Sequence, residues 1–425
     1  MDKDLRIIKA RSTVDVTSIE AASVRITGVS SRTHLQYCER LSSLYDGKVF
    51  LKREDTQPVR SYKIRGAYNL ISSLSEEEKK CGIITASAGN HAQGVALSAK
   101  KLKINATIFM PTTTPLQKIN RVKVLGGHFI KISLVGDNFD ECNKLALETS
   151  KQSGAVYVPP FDDHRTISGQ GTVAKEIYDE LGESVDVVVC PIGGGGLIAG
   201  VSTYFNEKDP TVQVVGVEPE GAASMYESLK QNKVVSLDVL DTFVDGVAVK
   251  RVGAHTFKIV KKLVKRILVV PVGKVCSTMI ELYQEEGIIT EPAGALSVSA
   301  LDSIADLIKG KTVVCIISGG NNDIMRYPEI MERNLIYRGL KHYFLVKFAQ
   351  KPGQLRAFVD KALGPNDDIV RFEYLKKSSK EKGPALIGIE LVKKGDFKPL
   401  VKRMDQIGLD YQTINDNDML YTYLV

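Results

Sequence analysis

The sequence has no paired cysteines of the kind that staple a small domain or hold a metal. Its six cysteines stand at 38, 81, 142, 190, 276 and 315, with no C-x-x-C among them. Several lie in apolar runs such as VVVCPI and VVCIIS. They read as buried free thiols of a reducing compartment, which excludes a disulfide framework or a cysteine–zinc module. No stretch approaches the ~20 apolar residues of a membrane-spanning helix, so no membrane partner is expected. Internal repeats and low-complexity tracts are absent. The opening MDKDLRIIKARSTVD is charged and lacks the apolar segment of a secretory signal, which makes a cytoplasmic location the expectation. The charge excess is slight, at net +7 with an isoelectric point near 8.8. No basic run is interleaved with aromatics, so nucleic acid is not an expected partner. The densest basic stretch, KIVKKLVKRI (Lys258 to Ile267), alternates with apolar residues and reads as an amphipathic helix with a solvated face.

What is present is an ordinary balance of 43% hydrophobic and 25% charged residues over 425 positions, enough for two or three domains with sizeable cores. Through the first 330 residues, short apolar runs alternate with helical patterns. KVFLK precedes SYKIRGAYNLISSL, GIITAS precedes NHAQGVALSAKKL, and ATIFMP precedes PLQKINRVKVLG. HFIKIS, VDVVVCPI, VQVVGVEP and TVVCIIS continue the series. Strands that are apolar nearly throughout are covered on both faces, which predicts parallel sheets flanked by helices in a doubly wound α/β fold. There are more such units than one sheet needs, so two lobes with a cleft between them are expected. After about Tyr337 the order becomes β-α-β-β-α-β, from KHYFLVKFAQKPGQLRAFVDKALG to a final YQTINDNDMLYTYLV. That is the ferredoxin-like α+β pattern, a separate domain over 339–425.

The strongest motif is VVVCPIGGGGLIAG, Val187 to Gly200. Four glycines between a strand and a helix let the backbone turn its N–H groups inward beside the positive helix end, which suits a phosphate. A tight turn alone would need only one or two. No Lys-Ser/Thr follows, so the loop is not a Walker A element, and the GKT of KGKTVV lacks the upstream glycine. A dinucleotide site stays open on this motif, because Glu218 in VVGVEPEG stands near the end of the next strand. TASAGNHAQG (Thr85 to Gly94) offers a second helix start, through Ser87, Ala88, Gly89 and Asn90. Open N–H groups there suit a carboxylate, and plain capping reads equally well. His91 by itself reads as structural. IISGGNND puts Ser318 at a strand's carboxyl end, and ITEPAGALSVSAL puts Glu291 before a proline-started helix.

SYKIRGAY places Lys63 at another such junction. A phosphate cradle, a carboxylate-type loop and a lone lysine together point to a phosphorylated aldehyde cofactor acting on an amino acid. A lysine amine becomes nucleophilic or basic once desolvation or a nearby cation lowers its pKa from about 10.4. Arg65 is the nearest candidate cation in sequence, although i, i+2 positions do not face each other on a helix.

KREDTQPVRSYKIRGAYN, SAGNHAQG, GGGGL and SGGNND occur here in the order in which they stand in the threonine dehydratases of fold type II, and the chain resembles that pyridoxal-phosphate-dependent family over about residues 5 to 330. The C-terminal unit resembles the family's ACT-like regulatory domain. The resemblance implies a two-lobed catalytic domain over 1–330, with a smaller lobe at about 82–159, and pyridoxal 5′-phosphate as cofactor. It makes Lys63 the lysine that carries the cofactor and moves the substrate proton. Asn90 would bond the ring 3′-oxygen, Gly193, Gly194, Gly195, Gly196 and Leu197 the phosphate, and Ser318 the ring nitrogen. Ser87, Ala88, Gly89, Asn90 and His91 would form the substrate loop. A neutral serine at the ring nitrogen leaves a weaker electron sink, which favours loss of the β-hydroxyl over transamination. The implied reaction turns L-threonine into 2-oxobutanoate and ammonia, and L-serine into pyruvate, as the first step of isoleucine biosynthesis.

The serine racemases, which the chain also resembles, place a second serine where Ala88 stands, so elimination is expected rather than racemisation. Cysteine and threonine synthases carry aspartate in place of Ile64. Some relatives bind a cation in the stretch corresponding to EPEGAAS. Here Glu218 and Ala222 are present, but Ser224 replaces an aspartate, so a divalent metal is not expected and a monovalent cation stays open. The resemblance further implies a homotetramer and an isoleucine or valine effector at the C-terminal domain. A catabolic threonine/serine dehydratase and a non-catalytic amino-acid sensor are the competing readings.

Overall fold

A computed structural model describes residues 13–374 and 381–415. The chain divides into two compact units. One runs to Pro271 and takes in Leu282–Asn322; the other comprises Val272–Glu281 and the residues from Asp323 onward.

The first unit is α/β with two sheets. The larger has six strands in the edge-to-edge order Leu35–Tyr37, Lys48–Arg53, Thr312–Ile317, Val187–Pro191, Gln213–Pro219 and Arg266–Val270. All neighbours pair in parallel except Leu35–Tyr37, which runs antiparallel to Lys48–Arg53. Every residue of Val187–Pro191 and Thr312–Ile317 is buried, as continuous apolar runs with helices on both faces require. The smaller sheet is parallel and ordered Ile130–Leu134, Ala106–Met110, Ile83–Ala86 and Val156–Tyr157. The carboxyl ends of central strands in both sheets lead into the loops singled out above: Ile83–Ala86 into Ser87–Gly89, Val187–Pro191 into the glycines, and Thr312–Ile317 into Ser318.

One expectation needs correction. The basic stretch Lys258 to Ile267 is not wholly helical, because the helix is Ala254–Leu263 and Arg266 opens an edge strand. Val264 already has extended dihedrals. The β-branched and apolar residues Ile267 to Val270 then gain ladder hydrogen bonds against Gln213–Pro219 that a last helical turn would forgo.

In the second unit the strands Lys341–Ala349, Asp368–Tyr374, Lys382–Glu390 and Asp410–Thr413 form one antiparallel sheet. Its spatial order places the second, third, first and fourth of these side by side. With the helices Gln354–Lys361 and Phe397–Gln406 this is the expected β-α-β-β-α-β ferredoxin-like arrangement. Phe344, Phe358, Ile387, Leu400 and Met404 share its core. Half of the charged turn SSKEKG and the end of the last expected strand lie outside the described residues.

Candidate active site

Lys63 is the first residue of the helix Lys63–Ser72. The chain enters that helix along the end of the central strand Thr312–Ile317. Ser61 bridges Gly319, the Tyr62 N–H donates to the Ser318 carbonyl at 3.2 Å, and the Gly320 N–H donates to the Arg60 carbonyl at 2.9 Å. The helix is seated against two neighbours at positions without side chains. A Cβ at Gly94 would lie 3.2 Å from the Lys63 carbonyl oxygen, and one at Gly169 would lie 2.6 Å from that of Arg65. These contacts aim the Lys63 side chain at the segment Pro159–Asp163, where its Nζ donates to the Pro160 carbonyl at 3.2 Å. Burial lowers the amine's pKa to about 8, against the pull of the Glu291 carboxylate. Near neutral pH an appreciable fraction is therefore uncharged, as a nucleophile or base requires.

Arg65 is not the cation that activates Lys63. It is fully buried and bonded to Glu54 and Glu176, through four contacts of 2.7 to 2.9 Å. Lys52 also reaches Glu176, at 2.7 Å. Two cations and two carboxylates make a buried set that anchors the helix, with the Arg65 pKa held up against burial by its partners. Removing one member would strand its partner's charge in the core.

His91 is buried, and its Nε2 donates to the Val158 carbonyl at 3.0 Å. Burial and the Lys63 charge push its pKa down to about 3, so the ring is neutral. The helix it belongs to, Asn90–Leu102, has no side-chain cap and no acid in its first turn. Ser87 bonds the Gly89 N–H at 3.2 Å, and Ser87, Ala88, Gly89 and Asn90 are all half-buried. A Cβ at Gly89 would meet nothing within 4 Å. The loop therefore faces open space beside an uncapped helix start, the setting in which backbone N–H groups bind an anion.

The Asn90 amide is held from both ends. Its Nδ2 donates to Glu291 at 2.7 Å, while Asn321 Nδ2 donates to Asn90 Oδ1 at 2.7 Å and to the Val59 carbonyl at 2.8 Å. The Val59 carbonyl can only accept, so the Asn321 nitrogen faces it and Asn90 Oδ1; that turns the Asn90 nitrogen to Glu291 and leaves its second hydrogen for another acceptor. Burial and the nearby Asp245 charge raise the Glu291 pKa to about 7, while the Asn90 bond works the other way.

The glycine loop lies between Val187–Pro191 and the helix Gly196–Lys208, whose cap, Gly195, has φ +92° and no side-chain bond. Only glycine adopts that dihedral at no steric cost. At Gly194 the constraint is contact, since a Cβ would come within 2.2 Å of the Phe161 ring. The Gly194 carbonyl accepts from Thr256 Oγ1 at 2.7 Å and from the Gly253 N–H at 3.3 Å. Leu197 is buried in the first turn of that helix. Ser318, also buried, donates to the Ala293 carbonyl at 3.2 Å.

Lys63, Ser318, Asn90 and the glycines are thus linked into one constellation, through Tyr62, through Glu291 with Asn321, and through Pro160 with Phe161. A recessed amine, an uncapped helix start behind four glycines and a fixed amide donor fit a phosphorylated aldehyde. Glu218 does not belong to the constellation. It is fully buried, and its carboxylate accepts the Met225 and Tyr226 N–H groups at 2.8 and 2.7 Å. It serves a helix start and is not free to take a ribose, which removes the dinucleotide reading. Ser224 Oγ beside it is buried without a partner. No cluster of three or more His, Cys, Asp or Glu placed to hold a metal occurs among the described residues.

Sequence reasoning missed Pro160, Phe161, Asp162 and Asn321, and noted Glu291 without a role. The available signal was PPFDDHR, where two prolines, an aromatic and two acids precede a helix.

Comparison with known proteins agrees with this chemistry. Residues 26–319 match the model of the pyridoxal-phosphate-dependent enzymes, and residues 332–424 match that of the C-terminal regulatory domain of threonine dehydratase. The chain is 49% identical to the biosynthetic L-threonine dehydratase IlvA of Bacillus subtilis over 419 residues, covering 99% of each chain. Among solved structures, the processed form of threonine deaminase isoform 2 from Solanum lycopersicum is 41% identical. The match covers 76% of this chain and 95% of that one, with a TM-score of 0.70. Maize serine racemase is 32% identical, with 76% and 98% covered and a TM-score of 0.70.

Proposed function

The chain belongs to the pyridoxal-phosphate-dependent threonine dehydratases of the biosynthetic type, and from that membership we propose the part each of its residues takes. The enzyme is a threonine ammonia-lyase. It removes the α-proton and β-hydroxyl of L-threonine and, after water re-enters, releases 2-oxobutanoate and ammonia; L-serine gives pyruvate. When bound, pyridoxal phosphate supplies the electron sink that makes the Cα–H bond labile.

The chain's own residues do the rest. Gly193, Gly194, Gly195, Gly196 and Leu197 hold the phosphate on backbone N–H groups. Lys63 anchors the aldehyde carbon, and its freed amine takes the proton from Cα. Asn90, its nitrogen directed to Glu291 by Asn321, would offer its remaining hydrogen to the ring oxygen, and Ser318 would face the ring nitrogen. The Ser87–His91 loop receives the substrate carboxylate. Ala88 brings no acid or base to the far face, so a proton removed by Lys63 is not replaced there, which favours elimination over racemisation.

The observation that carries this reading is the Lys63 amine, neutral in part at physiological pH and tied through Pro160 and Phe161 to the glycine loop. The regulatory-domain match favours a biosynthetic role over a catabolic one, and we assign isoleucine or valine as effector at the second unit. A homotetramer and a cytoplasmic location complete the proposal. The test is 2-oxo acid formation from L-threonine and from L-serine, titrated with isoleucine, valine and AMP. Inhibition by isoleucine supports the biosynthetic reading, activation by AMP supports the catabolic one, and absence of any product from threonine overturns both.

A further inference from the structure

The six residues Val158–Asp163 join the last strand of the small sheet, Val156–Tyr157, to the helix His164–Leu181. In passing they touch both halves of the site. Pro160 accepts from Lys63, and the Phe161 ring fills the space beneath Gly194. The next residue, Asp162, reaches elsewhere. Its carboxylate accepts three consecutive backbone N–H groups at the start of the helix Ala254–Leu263: Ala254 at 2.9 Å, His255 at 2.9 Å and Thr256 at 3.2 Å. The cap position of that helix is Gly253, where a Cβ would fall 2.3 Å from the Asp162 carboxylate. The helix is thus capped by a residue 92 to 94 positions away from the N–H groups it serves.

The same helix start pins the glycine loop. Thr256 Oγ1 and the Gly253 N–H both donate to the Gly194 carbonyl. The peptide unit is planar and trans, so the C=O of Gly194 and the N–H of Gly195 point in opposite directions. Holding that carbonyl toward Thr256 therefore turns the Gly195 N–H away from the helix Ala254–Leu263.

We propose that Asp162 is a positioning residue for phosphate binding: by capping Ala254–Leu263 it fixes Thr256 and Gly253 on the Gly194 carbonyl and so sets the direction of the Gly195 N–H. The inference rests on the reading of Gly193–Leu197 as the phosphate cradle. It gives the PPFDD segment a double task, with Pro160 holding the amine that anchors the aldehyde and Asp162 holding the helix that orients the phosphate donors.

The test is the affinity of full-length apoprotein for pyridoxal phosphate and for pyridoxal, which lacks the phosphate, read by equilibrium dialysis. Asp162→Ala is expected to weaken pyridoxal phosphate about five- to tenfold, the size of a lost helix cap, and to change pyridoxal by less than about twofold. Thr256→Val should reproduce that selective loss, and Thr256→Ser should restore it. If the wild-type protein binds both compounds equally, the reading of the glycine loop itself fails. Should the wild-type preference persist unchanged in Asp162→Ala, or should both affinities fall by the same factor, the positioning role is overturned. If Asp162→Ala does not fold, the Thr256 pair decides, and a Thr256→Val protein with the wild-type preference contradicts the proposal.

Discussion

In the first unit the buried residues include Lys52, Glu54, Arg65, His91, Glu218 and Glu291; among the described residues of the second from Arg338 to Asn415 no charged residue is wholly buried, although the Asp367 carboxylate is covered beside Arg403 at 2.8 Å. The first unit has parallel strands whose carboxyl ends open onto loops, and burial shifts the pKa values of Lys63, His91 and Glu291 there. The second has an antiparallel sheet under two helices, with a core of Phe344, Phe358, Leu400, Met404 and similar residues. Burying a charge is costly without a partner, so a region that retains several is constrained by chemistry and by pairing, whereas an apolar core is constrained by shape. Substitutions should therefore have unlike consequences in the two regions.

The largest effect is expected at Lys63. Lys63→Ala should lower threonine turnover by about a thousandfold or more, since nucleophile and base are lost together, and should abolish the visible absorption of the lysine-bound cofactor. Next is Gly194→Ala, where the added methyl meets the Phe161 ring. Overpacking of this kind costs about 1–3 kcal/mol, and cofactor retention on gel filtration should fall with thermal stability. Glu291→Gln replaces an acceptor with an amide that also donates, so the Asn90 nitrogen loses its fixed partner. We expect kcat to fall by about tenfold, the scale of one perturbed positioning bond. A limb near pH 7 should vanish from the pH–rate profile, because burial places the Glu291 pKa at about 7.

Lys63 predicts a pH dependence of its own. With its pKa lowered to about 8, the amine gains its neutral form as pH rises toward that value. Cofactor uptake by the apoprotein should quicken about tenfold per pH unit below 8 and level off above it, as stopped-flow absorption would show. An unshifted amine would keep accelerating beyond pH 9. The smallest effect on turnover belongs to the second unit. Phe358→Ala should destabilise that sheet by about 3–5 kcal/mol and blunt any effector response, while unregulated threonine turnover changes less than about twofold.

The features legible in the sequence were those encoded by local runs. Val187–Pro191 and Thr312–Ile317 announced themselves as buried strands because both faces are apolar, and four consecutive glycines marked the turn into Gly196–Lys208. Long-range partners left no local trace. Arg65 looked like a cation for Lys63 because it is two residues away, yet its partners Glu54 and Glu176 are 11 and 111 positions distant. Pro160 acts through a backbone carbonyl, which no residue type advertises. The edge strand Leu35–Tyr37 is three residues long, too short to show a period. Arg266–Val270 was hidden beneath an amphipathic helical pattern that ends only three residues before it.

On the function proposed above, one recessed amine, Lys63, carries the cofactor. Borohydride reduction of the holoenzyme followed by peptide mapping tests it directly. The predicted result is a single cofactor-labelled peptide containing Lys63, with no label in Lys63→Ala. Label on another lysine, or an unlabelled wild-type protein that still deaminates threonine, would contradict it.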